Sequence, residues 1–95
     1  MSLRVMTIFG TRPEAIKLAP IIRAIEDDDE MEDVIVVTGQ HREMLDQVNS
    51  LFEITPHHDL DIMAGEQTLN TIVAKVINGV DGILEQERPD VVIVQ

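Results

Sequence analysis

Four short apolar runs, each closed or opened by a turn residue and separated by stretches of helical period, constrain this chain more than any other feature. Leu3-Arg4-Val5-Met6-Thr7-Ile8-Phe9 ends at Gly10, and residues 34–38 (Val-Ile-Val-Val-Thr) end at Gly39. Leu60-Asp61-Ile62-Met63 is shorter and more polar, and Val91-Val92-Ile93-Val94 follows Pro89-Asp90. Runs of this length, rich in β-branched residues, read as strands buried on both faces. Between them the period changes. Thr11 followed by Glu14 is a capping box, and Pro13 lies in the first turn, where a missing N–H costs nothing. The helix carries Ile16, Ala19, Ile22 and Ile25 on one face, and Pro20 inside it is expected to kink it. Met44, Leu45, Val48, Leu51 and Phe52 mark a second helix. Leu69, Ile72, Val73, Val76, Ile77, Val80, Ile83 and Leu84 mark a third, with the cleanest apolar stripe in the sequence. Gly79 and Gly82 inside it suggest close packing or fraying, since each costs about 1 kcal/mol in a helix.

Strand and helix thus alternate throughout, the pattern of an α/β, Rossmann-like parallel sheet with helices on both faces, joined by right-handed crossovers. Residues 26–33 hold seven acids in eight positions, with Met31 the exception, and are expected to form a solvated acidic loop. The last strand has no covering helix after it, so an exposed apolar edge is expected. With a chain of 95 residues that stops there, this suggests the N-terminal half-domain of a longer protein.

Composition narrows the function. Asp and Glu number 18 against 7 Lys and Arg, a net charge of −11 that phosphate backbones and anionic lipid would repel. Nucleic-acid and membrane partners are therefore not expected. No run approaches the roughly 20 apolar residues of a membrane span, and the amino terminus lacks a signal-peptide layout, which points to a cytoplasmic protein. The absence of cysteine removes disulfides, Cys-ligated zinc and thiolate catalysis. Only Lys17 and Lys75 accompany the acids as lysines; a salt-adapted source is one explanation for such a balance.

In parallel sheets ligands bind beyond the carboxyl ends of the strands, which directs attention to residues 10–17 and 38–42. Gly10 lets the backbone approach a ligand, the helix start with Thr11 offers free N–H groups, and Arg12 can fork onto an anionic oxygen. Lys17 adds a second positive charge one turn on. Together they suggest an anionic ligand, against the alternative that Arg12 pairs with Glu14 or another nearby acid. The loop is neither a P-loop nor a dinucleotide fingerprint, because the required further glycines and the Gly-Lys-Ser/Thr ending are missing. Gln40 and His41 after the second strand could hydrogen-bond a sugar or base, or could simply open an exposed helix. His57-His58-Asp59 is a poor metal tripod, since adjacent side chains of an extended segment point apart. No metal or other cofactor is expected.

Two longer stretches carry a resemblance. Phe9-Gly10-Thr11-Arg12-Pro13-Glu14-Ala15-Ile16-Lys17-Leu18-Ala19-Pro20 and Thr38-Gly39-Gln40-His41-Arg42-Glu43-Met44-Leu45-Asp46-Gln47-Val48 resemble the non-hydrolysing UDP-N-acetylglucosamine 2-epimerases, as do Asp59-Leu60-Asp61-Ile62-Met63 and Gln67-Thr68-Leu69. The resemblance implies the N-terminal domain of a GT-B-type two-domain enzyme, an isomerase that interconverts UDP-N-acetylglucosamine and UDP-N-acetylmannosamine by eliminating and re-adding UDP. It implies a cytoplasmic homodimer that needs no cofactor, with a UDP-sugar as partner. Carried over, Arg12 and Lys17 match its nucleotide-sugar contacts in the first loop, where Gly10 and Thr11 are candidate contacts by the loop reading above, while Gln40 and His41 match second-loop contacts. The catalytic carboxylates of the family lie mostly beyond residue 95, so no catalytic residue is assigned here and the segment alone is expected to be inactive. Glu43 and Glu66 stand where members with an activating second sugar-nucleotide site carry glutamine and arginine, which argues against that site. Two enzyme readings, a GT-B glycosyltransferase and a hydrolysing 2-epimerase, and one non-catalytic nucleotide-sugar binding module compete with the leading one.

Overall fold

The structure, a computed structural model, describes residues 2–39, 49–50, 53–62 and 67–94. The second predicted helix, with Met44, Leu45, Val48, Leu51 and Phe52, lies outside them but for Asn49 and Ser50. Strand β1 (Leu3–Phe9) leads to helix α1 (Arg12–Glu26) and strand β2 (Met31–Val37). Strand β3 (His58–Asp59), helix α2 (Leu69–Glu87) and strand β4 (Val91–Val94) complete the order. The sheet runs β3-β2-β1-β4 and every pairing is parallel.

Each side of the sheet has its own core. Phe9, Ile35 and Val37 meet Ala15, Leu18, Ala19 and Ile22 of α1, while Met6, Val34 and Val36 meet Ile83 of α2. Successive strand residues point to opposite faces, so one run of apolar residues serves both layers. The α1 stripe is Ala15, Leu18, Ala19, Ile22 and Ile25. Ile16, expected on it, is 46% exposed, because it sits one residue, about 100°, around the helix from Ala15. The helix continues through Pro20, which is exposed, so its missing N–H opens toward solvent.

Three further expectations need correction. The acidic segment 26–33 is not one loop: α1 runs through Glu26, and β2 starts at Met31. Backbone pairing decides this, with Leu3, Arg4 and Val5 in register with Met31, Glu32 and Asp33 and Arg4 Nε 3.5 Å from Glu32. Strand β3 is His58–Asp59, and residues 60–62 do not continue it because Asp61 adopts φ 48°, which ends the extended conformation; Met63 lies outside the described residues. The third helix has the predicted start, yet of its stripe only Ile83 is buried; Leu69, Val73 and Ile77 are 75%, 47% and 61% exposed. The stripe is wider than the strip of sheet it covers.

Among the described residues strand β4 pairs only with β1 and leaves Val91, Val92 and Val94 exposed at the sheet edge, the exposed apolar edge that was expected. Its start is pinned twice: the Arg4 N–H donates to Asp90 Oδ2 and the Asp90 N–H to the Arg4 carbonyl, both at 2.8 Å. Arg88, at φ 47°, ends α2 in the left-handed conformation just before Pro89.

Candidate functional site

From β1 the chain passes through α1 to β2 on one side, and later through α2 to β4 on the other. Such a reversal opens a crevice at the carboxyl ends of the two strands that flank it, here β1 and β4. The loop after β1, residues 10–11, and the first turn of α1 form one wall of it. Thr38, whose N–H donates to the Phe9 carbonyl at 3.0 Å, ties the neighbouring loop to the same edge.

The first loop is organised by Glu14. Its Oε2 accepts from the Gly10 N–H at 2.7 Å and from the Thr11 N–H at 3.0 Å. The capping box read from the sequence is therefore formed, and it reaches one residue further back than the spacing requires. This changes the anion argument. Two of the backbone donors expected to face a ligand are already satisfied by an internal carboxylate.

Glu14 is thereby committed to the backbone, and Arg12 makes no ion pair with it or with any other acid among the described residues. Arg12 is exposed at the first position of α1. Lys17 is also exposed, but five positions along a helix place it about 140° around the axis from Arg12. The two cations do not converge by helix geometry; Lys17 approaches the edge only by running its long stem back toward the helix start. Gln40 and His41 lie outside the described residues.

The second loop and the segment after β3 pack closely. Gly39 has φ 82°, and a side-chain carbon there would stand 3.1 Å from the Asp61 Cα. The Leu60 N–H donates to the Val37 carbonyl at 2.9 Å and the Ile62 N–H to the Thr38 carbonyl at 3.0 Å. Residues 59–62 thus wrap over the carboxyl end of β2, with the Asp61 N–H turned onto Asp59 Oδ1 at 3.0 Å. Reading the sequence as a strand there missed this cap; its one local signal is Asp61, of a residue type that tolerates positive φ. The adjacent histidines diverge as expected. His57 Nδ1 accepts from the Ile35 N–H at 2.9 Å, while His58 Nε2 lies 3.2 Å from Glu87 Oε2.

The family model for UDP-N-acetylglucosamine 2-epimerase matches residues 23–95. The chain belongs to this family. A UDP-N-acetylglucosamine 2-epimerase of Yersinia pestis is 52% identical over 92 residues, covering 97% of this chain and 24% of that protein. The crystal structure of UDP-GlcNAc 2-epimerase from Neisseria meningitidis bound to UDP-GlcNAc superposes with a TM-score of 0.89 at 47% identity, over 97% of this chain and 25% of that one. A putative UDP-N-acetylglucosamine 2-epimerase from Listeria monocytogenes gives a TM-score of 0.90 at 52% identity, over 97% and 24%. This epimerase-family chain therefore spans about a quarter of the length of the relatives it matches. Its parallel sheet with helices on both faces is the fold of those neighbours. The family model begins after the first loop, whereas the pairwise matches cover nearly the whole chain, the Gly10–Lys17 region included.

Proposed function

We propose that these 95 residues are the N-terminal half-domain of a non-hydrolysing UDP-N-acetylglucosamine 2-epimerase and form one wall of its nucleotide-sugar site. The full-length protein would act as a cytoplasmic homodimer on UDP-N-acetylglucosamine and UDP-N-acetylmannosamine. In the reaction a base removes the C2 proton, the electron pair forms a C1–C2 double bond, and the C1–O bond breaks with its electrons leaving on UDP. Protonation of C2 from the opposite face and return of UDP to C1 give the epimer. The groups that move the proton lie outside this segment, which is inactive alone.

What this segment contributes is charge at the leaving group. Arg12 stands at the carboxyl end of the central strand, beside the β1/β4 crevice, free of ion pairs among the described residues. That placement, in a chain about half identical to epimerases one of which binds UDP-GlcNAc, is the observation that carries the proposal. A guanidinium there offers paired N–H donors to a diphosphate and stabilises the negative charge that grows as the C1–O bond breaks. Lys17 adds a longer-range positive charge, and Gly10 and Thr11 shape the loop.

Full-length protein incubated with UDP-N-acetylglucosamine, without added metal or NAD, is expected to produce UDP-N-acetylmannosamine, read by proton NMR of the anomeric signals. Free N-acetylmannosamine as the sole product would identify a hydrolysing enzyme instead. No turnover by the full-length protein, with UDP bound, would favour a binding module.

A further inference from the structure

We infer that His57 is a pH-operated latch that holds β3 and the cap over the second strand in place when its ring is neutral and releases them when the ring is protonated. The latch has two hydrogen bonds to one residue of β2. The His57 backbone N–H donates to the Ile35 carbonyl at 2.8 Å, and the His57 Nδ1 accepts from the Ile35 N–H at 2.9 Å. A side chain here completes a strand-like pairing that the backbone alone makes only in half. Immediately after it, His58 and Asp59 pair with Val36 and Val37, and residues 60–62 hydrogen-bond over the end of β2. The latch therefore sits at the head of the segment that packs on Gly39.

An imidazole accepts at Nδ1 only when its proton is on Nε2. Protonation places a hydrogen on Nδ1, opposite the Ile35 N–H, and two donors cannot share that line. The bond is lost, not weakened. The imidazolium has other places to go. Asp33 of β2, Glu26 at the end of α1 and Glu53 in the turn before β3 line the same open pocket as His57. Arg23 of α1 approaches Glu53 at 3.9 Å and brings a positive charge to that side. Asp33 Oδ1 is buried without a hydrogen-bond partner among the described residues, so it is a ready acceptor for a ring that has let go of Ile35. Burial, then Glu26, push the Asp33 carboxyl up to about 6, with His57 opposing the rise.

Amide exchange of Ile35 reads the latch directly. In ¹⁵N-labelled protein, the His57 ring nitrogens should show an Nε2–H tautomer at pH 8. Between pH 8 and 5, Ile35 protection, corrected for the intrinsic exchange rate, should fall about ten-fold as the ring protonates. His57→Asn supplies the control, because Asn Oδ1 occupies the position of His Nδ1 and accepts from the same N–H without titrating. It should keep Ile35 protected across the whole range, whereas His57→Ala should leave it poorly protected throughout. Asp33→Asn should move the wild-type transition to lower pH. Constant protection of Ile35 while His57 protonates would overturn the inference. So would equal loss in His57→Asn, which would trace the loosening to general acid expansion, or a ring that stays neutral down to pH 5.

Discussion

Asp33→Asn, at the centre of the acidic segment, should make the fold more stable at neutral pH and leave it almost unchanged in acid. Asp33 is in register with Val5 in the sheet, so its carboxylate is carried into the protein by backbone pairing. Burial, reinforced by Glu26 and opposed by His57, raises it from 3.8 to about 6. In the unfolded chain the group titrates near the ordinary value, so between the two the folded state holds more protons and stability falls as pH rises. The full shift corresponds to ~3 kcal/mol. Because the group is only partly buried, solvent screening reduces this to roughly 1–2 kcal/mol lost between about pH 4 and pH 6.

The assay is urea denaturation of the wild type and of Asp33→Asn at intervals from pH 4 to pH 8. Both proteins are best compared in the His57→Asn background, so that the imidazole does not contribute. An amide at position 33 keeps the buried, poorly satisfied oxygen, a cost that is the same at every pH. The diagnostic quantity is therefore the change in the difference between the two proteins, not its size at one pH. It should grow in favour of the amide by roughly 1–2 kcal/mol on going from pH 4 to pH 7. A flat difference, or one that grows in favour of the carboxylate, would refute the reasoning.

Removing the carboxylate that organises the first loop, Glu14→Ala, should lower stability by about 1–2 kcal/mol, read by the denaturation midpoint, because two backbone donors lose their acceptor. Gly39→Ala should cost roughly 2–3 kcal/mol, combining a positive φ with a 3.1 Å approach to the Asp61 backbone. The two helix glycines should separate in the same measurement. Gly82 has open space around it and its alanine variant should gain about 0.5–1 kcal/mol, while at Gly79 a new carbon would stand 2.9 Å from a Leu60 methyl and should cancel or reverse the gain.

These glycines show where the sequence was readable. Both invited the same two explanations, and only their neighbours decide between them: a side-chain carbon at Gly79 would press on Leu60, and one at Gly82 would meet nothing within 4 Å. Strands β1, β2 and β4 and the start of α2 were legible because each rests on a local pattern, an apolar run or a period, that the structure leaves intact. Residues 31–33 were misread because charge is local whereas register is not; Glu32 and Asp33 are strand residues by virtue of Arg4 and Val5, nearly thirty positions away. Residues 60–62 failed for the opposite reason. Their alternating pattern is correct for a strand, but the left-handed turn at Asp61 carries the chain across the end of β2 instead of along it. The apolar stripe of α2 gave the helix and its period, yet could not say that much of it would remain exposed.

The place of the first loop after β1 was legible, and its internal hydrogen bonding was legible only in part. The sequence pointed to free amides, Arg12 and Lys17 acting together on an anion. In the structure Glu14 satisfies the Gly10 and Thr11 amides, and Lys17 leaves α1 in another direction. The internal carboxylate also adds a negative charge beside the loop, so the helix dipole contributes less to a bound diphosphate than an uncapped terminus would. If the segment holds a diphosphate, the work falls on the guanidinium. A planar fork makes two parallel bonds to phosphate oxygens, whereas an ammonium is a point charge on a flexible stem. Arg12→Lys should therefore not rescue Arg12→Ala: both should weaken UDP binding by the full-length protein at least ten-fold, measured by calorimetry at fixed ionic strength. Near-wild-type affinity in the lysine variant would mean that charge alone suffices, and unchanged affinity in the alanine variant would remove Arg12 from the site.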